Sequence, residues 1–221
     1  MKVIESSFVL VDPHHGGNMA RLAGVKLLRH IERMARISHR SEDKQTEESW
    51  SKFLEAVVLQ HGDWSVTEHA SITAIIRTDR GITHEIVRHR LFAFTQESTR
   101  FCRYKDDLEF IYPENAPQGC FANWDLSVQN AETTYFDLLN SGWRPQEARS
   151  VLPNSLASTI AVTGNLRNWR HWFLMRTSKE THPDFKRISI PMLEEFKKIV
   201  PLLYDDIEPN VRQIDNLRKA R

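Results

Sequence analysis

The chain has 221 residues, 40% hydrophobic and 27% charged, ordinary usage for a folded soluble protein and enough length for one sizeable core. Its 30 basic and 29 acidic side chains leave a net charge of +1, so no global field would hold a polyanion such as nucleic acid, and any anion site must be local. Neither a secretory leader pattern nor a run of about eighteen apolar residues is found, and the expectation is a single cytoplasmic domain over residues 1–221 with no nucleic-acid and no membrane partner.

Residues 19–37 place Leu22, Ala23, Leu27, Ile31, Met34 and Ala35 at three- and four-residue steps among Arg and Lys, the spacing of an amphipathic helix. After a polar stretch at 38–46, a second helical pattern over 47–61 gathers Trp50, Phe53, Leu54, Val57 and Val58 on one side and stops at Gly62. Residues 70–77 alternate small polar with branched apolar side chains, which predicts a half-buried strand with 79–81 as its turn. Residues 82–92 read as a helix and 93–104 as an irregular or extended connection. Pro113, Asn115, Pro117 and Gly119 mark a loop, after which Asp125 is placed to cap a helix running to Asn140, closed by Gly142. Pro145 suits the first turn of a short helix. Residues 158–163 predict a second strand and 166–176 a helix, whose Trp169, Trp172 and Phe173 read as core. Pro191 and Pro201 bracket a last helix with Leu193, Phe196, Ile199 and Val200 on its apolar face. Strands separated unevenly by long helices favour an α+β fold over a regular βαβ alternation.

Cys102 and Cys120 are the only cysteines; they are too few for a disulfide framework, match no zinc spacing, and read as reduced thiols. No metal is expected. His84 and His89 stand five apart where a helical ligand pair needs four, and the adjacent His14 and His15 diverge as in a flexible turn.

The most unusual segment runs from Thr83 through Glu85, Arg88, His89 and Arg90 to Gln96, Glu97, Ser98, Thr99 and Arg100. Between Glu85 and Lys105, the cations Arg88, Arg90, Arg100, Arg103 and Lys105 outnumber Glu85 and Glu97. On a helix, Glu85, Arg88 and His89 would share a face while Arg90 points elsewhere. A second cationic stretch holds Arg144, Arg149, Arg167, Arg170 and Arg176 against Glu147 alone. Such arginines suit anionic ligands, although arginine-rich helix ends are also commonly solvated faces or ion pairs.

The string Arg88-His89-Arg90, seven residues and then Ser98, continued as Gln96-Glu-Ser-Thr-Arg-Phe-Cys-Arg-Tyr104, resembles the signature of the flavin-dependent thymidylate synthases. The likeness extends to Ser65-Val-Thr-Glu-His-Ala70, Ala148-Arg-Ser-Val-Leu-Pro153, Asn165-Leu-Arg167, His171 and Leu174-Met-Arg176. Ala93, Thr95 and Phe101 stand where many members carry Ser, Asn and Tyr, and Glu180 stands where some have His.

The resemblance implies an α+β fold with an antiparallel sheet flanked by long helices, assembled as a homotetramer with active sites where subunits meet. It implies that FAD is held by Ser65, Arg88, His89, Arg90, Gln96, Asn165, Leu166, Arg167 and His171. It implies that dUMP is held by Glu85, Arg88, Gln96, Glu97, Ser98, Thr99, Arg100, Arg149 and Arg176, with Arg176 as the catalytic group favouring the uracil ionised at N3. NADPH and methylenetetrahydrofolate enter as co-substrates, hydride reaches the uracil from reduced flavin, and no cysteine nucleophile is needed. The competing reading is a non-catalytic nucleotide- or RNA-binding module that kept the arginines.

Overall fold

The structure, a computed structural model, describes residues 1–12, 18–104, 107–117 and 119–209. His14, His15 and Lys105 lie outside the described residues. In chain order the elements are β1 (Lys2–Val3), β2 (Ser7–Val11), α1 (Arg21–Arg36), α2 (Ser49–Leu54), β3 (Ser71–Asp79), α3 (Arg80–Ile86), β4 (Ala93–Gln96), β5 (Glu109–Phe110), α4 (Phe121–Asn140), α5 (Pro145–Ala148), β6 (Ala157–Asn165), α6 (Leu166–Arg176) and α7 (Pro183–Ile199). α2 continues as a π-helical stretch over Glu55–Gln60.

The fold is α+β. A four-stranded sheet has the order β2-β3-β6-β4, and β1 pairs with β5 in a parallel ribbon. β3 and β6 are antiparallel: Arg80 N donates to Leu156 O (3.1 Å) near one end, and Leu166 N donates to Ala70 O (3.0 Å) near the other. No helix among the described residues is long and apolar enough to cross a membrane.

The chain divides into two compact units. Unit 1 comprises Met1–Ser7, Ile76–Arg88 and Phe94–Ala161. Its core gathers Leu108, Phe110, Val128, Tyr135, Leu139, Ala148 and Leu156, with α4 contributing residues at the seven- and four-residue steps of one helix face. α4 starts at Phe121, ahead of the expected cap; the Asp125 carboxylate instead accepts from Gln129 Nε2 within the helix (2.6 Å). Gly142, at φ 91°, closes it as expected.

Unit 2 comprises Phe8–Ile75, His89–Ala93 and the chain from Val162 onward. Trp169, Trp172 and Phe173 of α6 are fully buried with Phe185, Met192, Leu193 and Phe196 of α7, as core residues. The indoles are oriented by polar partners: Trp169 Nε1 donates to Ile72 O (3.0 Å) and Trp172 Nε1 to Ser189 Oγ (3.1 Å). On α1 the buried Glu32 accepts from Arg36 Nε (2.9 Å), Arg36 Nη2 (2.7 Å) and Ser49 Oγ (2.7 Å), which ties the following loop to the helix.

Two further helix expectations are corrected. Pro191 lies inside α7, not before it. A proline there forfeits one backbone bond, and the continuous burial of Ile188, Met192, Leu193 and Phe196 holds the helix through it. The helix expected over 82–92 ends at Ile86. The apolar spacing that extends the pattern reflects tertiary burial: Ile86 packs in unit 1, while His89 and Phe92 are buried in unit 2.

Candidate functional site

In unit 1, Asp79 does not form the expected turn but caps α3, accepting from Ile82 N at 2.9 Å. A Cβ on Gly81 would stand 2.9 Å from that carboxylate, so glycine is what lets the cap close. α3 carries Thr83, buried, and Glu85, half-buried; Arg88 follows, exposed. From β4, Gln96 Nε2 donates to Thr83 Oγ1 (2.9 Å) and Ser158 Oγ (3.2 Å), which fixes the amide plane.

Glu97 is engaged within the fold. It accepts from the Tyr104 hydroxyl (2.6 Å) and from Thr159 N (3.3 Å), and lies 3.6 Å from Arg77 Nη1. Burial, reinforced by the Glu97 carboxylate, holds the Tyr104 phenol well above the ordinary tyrosine value. Arg77 also grips Glu109 and donates to Thr159 Oγ1 (2.7 Å). The chain then turns over Ser98, whose carbonyl accepts from Cys102 N (2.8 Å) and whose hydroxyl accepts from Arg100 N (3.3 Å). Thr99 is buried, and its hydroxyl accepts from Arg149 Nη1 at 3.1 Å. Arg100 Nε donates to Gln146 Oε1 (3.3 Å). The fold thus brings Ser98, Thr99, Arg100 and Arg149 together from segments distant in sequence.

In unit 2, α6 is capped by Asn165, whose Oδ1 accepts from Asn168 N (2.8 Å). Leu166 is buried, with its N–H given to Ala70 O (3.0 Å) and its carbonyl taken by the Tyr204 hydroxyl (3.0 Å). Arg167 is exposed and donates to Glu68 Oε1 (2.6 Å); Ser65, Arg90 and His171 are exposed. His89 turns inward, only 7% exposed. Its ring lies against Trp172 at 4.6 Å between centroids, and its Nε2 accepts from Arg176 Nε at 2.9 Å. Arg176 in turn lies over the Phe185 ring at 4.5 Å. Burial first, then the positive charge of Arg176 and the neighbouring His171, lower the His89 pKa to about 4. At neutral pH this imidazole is an acceptor and not a cation.

Sequence reading missed several groups. Arg77 was hidden in the alternation of β3. A cleft of about 950 Å³ in unit 2 has Lys26, His30 and His69 beside the apolar Leu22, Ala23 and Leu27; His69 lies in the segment Ser65–Ala70, which could have pointed to it. A smaller cleft of about 450 Å³ in unit 1, beside Arg77 and Tyr104, is lined by none of the expected nucleotide residues.

Comparison with known proteins adds to this geometry. The family described as "Thymidylate synthase complementing protein" matches residues 26–202. A protein of Sulfurisphaera tokodaii named "Flavin-dependent thymidylate synthase" is 34% identical over 76% of this chain and 66% of its own length. One of Mycobacterium tuberculosis with the same name is 34% identical over 73% of this chain and 75% of its own. A third, of Saccharolobus solfataricus, is 33% identical over 76% of this chain, and 65% of its length is matched; the alignment spans just under two thirds of the two relatives from Sulfurisphaera and Saccharolobus. The solved structure of "a UMP/dUMP methylase PolB from Streptomyces cacaoi bound with 5-Br dUMP" shares the fold, with a TM-score of 0.75, 22% identity, and coverage of 93% of this chain and 96% of that one.

Proposed function

The chain belongs to the family of flavin-dependent thymidylate synthases, and from that premise we propose that it methylates the uracil ring of dUMP to dTMP, with methylenetetrahydrofolate as carbon donor and NADPH as reductant of bound FAD. When bound and reduced by NADPH, the flavin would supply the hydride; the protein's own part is to bind, orient and polarise.

The donor sets of the two units fit these ligands. In unit 1 the Ser98 and Thr99 hydroxyls with the Arg100 and Arg149 guanidiniums offer what a nucleotide phosphate takes. Glu85, Arg88 and the oriented amide of Gln96 complete the dUMP contacts, and Glu97 holds the strand that carries them. In unit 2 Ser65, Arg90, Asn165, Arg167 and His171 offer hydroxyl, guanidinium, amide and imidazole groups suited to a flavin dinucleotide, with Leu166 seating the turn between them. Arg176, permanently charged, stabilises the uracil anion. Cys102 and Cys120 are exposed free thiols and neither acts as nucleophile. The working assembly is a homotetramer.

The observation that carries this reading is the bond from Arg149 to the buried Thr99 hydroxyl, made across 50 residues of sequence, in the loop that follows Arg88-His89-Arg90. Release of tritium from 5-labelled dUMP tests it. Release is expected only with FAD, NADPH and methylenetetrahydrofolate together, from a protein that takes up FAD stoichiometrically. A protein that ignores FAD and binds RNA instead would overturn the proposal.

A further inference from the structure

Arg88 and Arg90 are exposed, while His89 between them is buried. A ring so enclosed has little surface to give a ligand. We propose that His89 is a positioning residue acting through Arg176: its neutral imidazole accepts from Arg176 Nε and so fixes the plane of the guanidinium. This rests on the role proposed above for Arg176.

Arginine has donors only, so the 2.9 Å bond requires a lone pair on His89 Nε2 and hence the proton on Nδ1. The bond uses Nε, the one nitrogen inside the side chain's stem, so it sets the orientation of the whole Nη fork. Both partners share one support. The Phe185 ring lies 4.5 Å from the Arg176 guanidinium carbon and 6.4 Å from the His89 centroid, edge-on to the latter. Trp172 at 4.6 Å and Phe92 at 5.9 Å close the other sides of the imidazole. The charged or titratable groups facing His89 are Arg176 and His171 of α6; α7 presents the uncharged Phe185. Burial and the guanidinium charge of Arg176 keep the ring neutral, so the acceptor is present throughout the physiological range. Protonation would replace the lone pair with a second N–H and set two cations against each other.

The test compares His89→Phe, which keeps a ring without an acceptor, with His89→Gln, which keeps an acceptor without a titratable ring. In the FAD-loaded enzyme, flavin occupancy by visible absorbance, kcat and KM for dUMP, and the melting temperature are measured. His89→Phe is expected to keep its flavin and lose kcat about 10- to 100-fold, the range for a misplaced reacting group. His89→Gln should recover most of that loss. In an Arg176→Ala background the same His89→Phe change should cost less than about 3-fold, because residues acting as one unit do not add. The proposal is overturned if Phe and Gln variants lose kcat equally, if flavin is lost with turnover per bound flavin unchanged, or if the losses add. Should His89→Phe fail to fold, His89→Gln decides through the pH profile: the parent's acid limb of kcat near pH 4 should vanish, and an unchanged limb refutes the idea. Parental turnover in Arg176→Ala alone would instead sink the role of Arg176 itself, a separate outcome.

Discussion

Replacing Gly164 with alanine should destabilise unit 2 by crowding one ring. A Cβ at that position would stand 2.3 Å from Phe92 Cε1 and 2.4 Å from Cδ1. Carbon atoms settle at about 3.5–4.0 Å, so the ring must retreat by more than about 1 Å. It has no easy exit: Phe92 is buried, edge-on to Trp169 at 4.8 Å and tilted against Trp172 at 5.7 Å, and both indoles are tethered by hydrogen bonds. Overpacking of this kind costs about 1–3 kcal/mol, which for a chain of this size lowers Tm by roughly 2–12 °C. Because Phe92 N donates to His89 O at 3.1 Å, the displacement also reaches the segment that carries His89. Thermal unfolding of Gly164→Ala, Phe92→Leu and the double variant measures the coupling. The smaller leucine side chain leaves room for the new methyl, so the double variant should be more stable than the sum of the single losses by about 1 kcal/mol or more. Strict additivity would refute the steric argument.

Arg176→Ala should keep FAD while dTMP formation collapses, read by flavin absorbance and tritium release; turnover near the parent's would remove Arg176 from the reaction. Arg149→Ala should weaken dUMP binding by roughly 10- to 100-fold, the worth of a hydrogen bond to a charged group; unchanged affinity by titration calorimetry would unseat it from the nucleotide. Glu32→Ala leaves the Arg36 charge buried without its carboxylate and should cost about 3–5 kcal/mol in denaturant unfolding, a loss below about 1 kcal/mol counting against a structural pair. His89 has a folded pKa of about 4 against an ordinary 6.5, so the unfolded chain takes up the proton first. Its contribution is complete above about pH 6.5 and is lost as pH falls towards about 4. The shift corresponds to about 3 kcal/mol, reduced to about 2 kcal/mol by solvent screening. His89→Phe should flatten the stability slope between those pH values, and an unchanged slope would assign it to other groups.

Periodic helices were legible in the sequence because their apolar faces repeat at the helical period, as in α1 and α6. Gly142 was legible as a stop because only a positive φ fits there. The short strands β1, β2, β4 and β5 were not read as strands. Each is held by partners far along the chain, such as Glu97 N donating to Thr159 O beside β4 (2.8 Å), and local propensity carries no trace of such pairing. Pro191 misled because the local rule against proline in a helix ignores how much buried apolar surface can offset one lost bond. In the site, the arginines stood out as charges, but which of them the fold neutralises depends on residues tens of positions away.

The arginines differ in their partners, and Arg103 of the same cationic segment is exposed with no salt-bridge partner among the described residues. Arg77, Arg144 and Arg170, to which the family resemblance assigns no ligand, are neutralised by Glu97 and Glu109, by Glu147 and by Asp206. Arg88 and Arg90 are exposed with no salt-bridge partner among the described residues, Arg100 meets an amide, and Arg149 meets a hydroxyl. Arg167 is the exception, paired with Glu68, and both members are half-exposed, where such a pair is weak and can be exchanged for a ligand. An RNA-binding surface could use the exposed guanidiniums as well as an enzyme could. It has no use, however, for a half-buried guanidinium anchored by Nε on a neutral imidazole and backed by a phenyl ring, an arrangement that fixes the direction of one charge at the expense of its reach. Orientation of that kind is what stabilising a single developing anion requires.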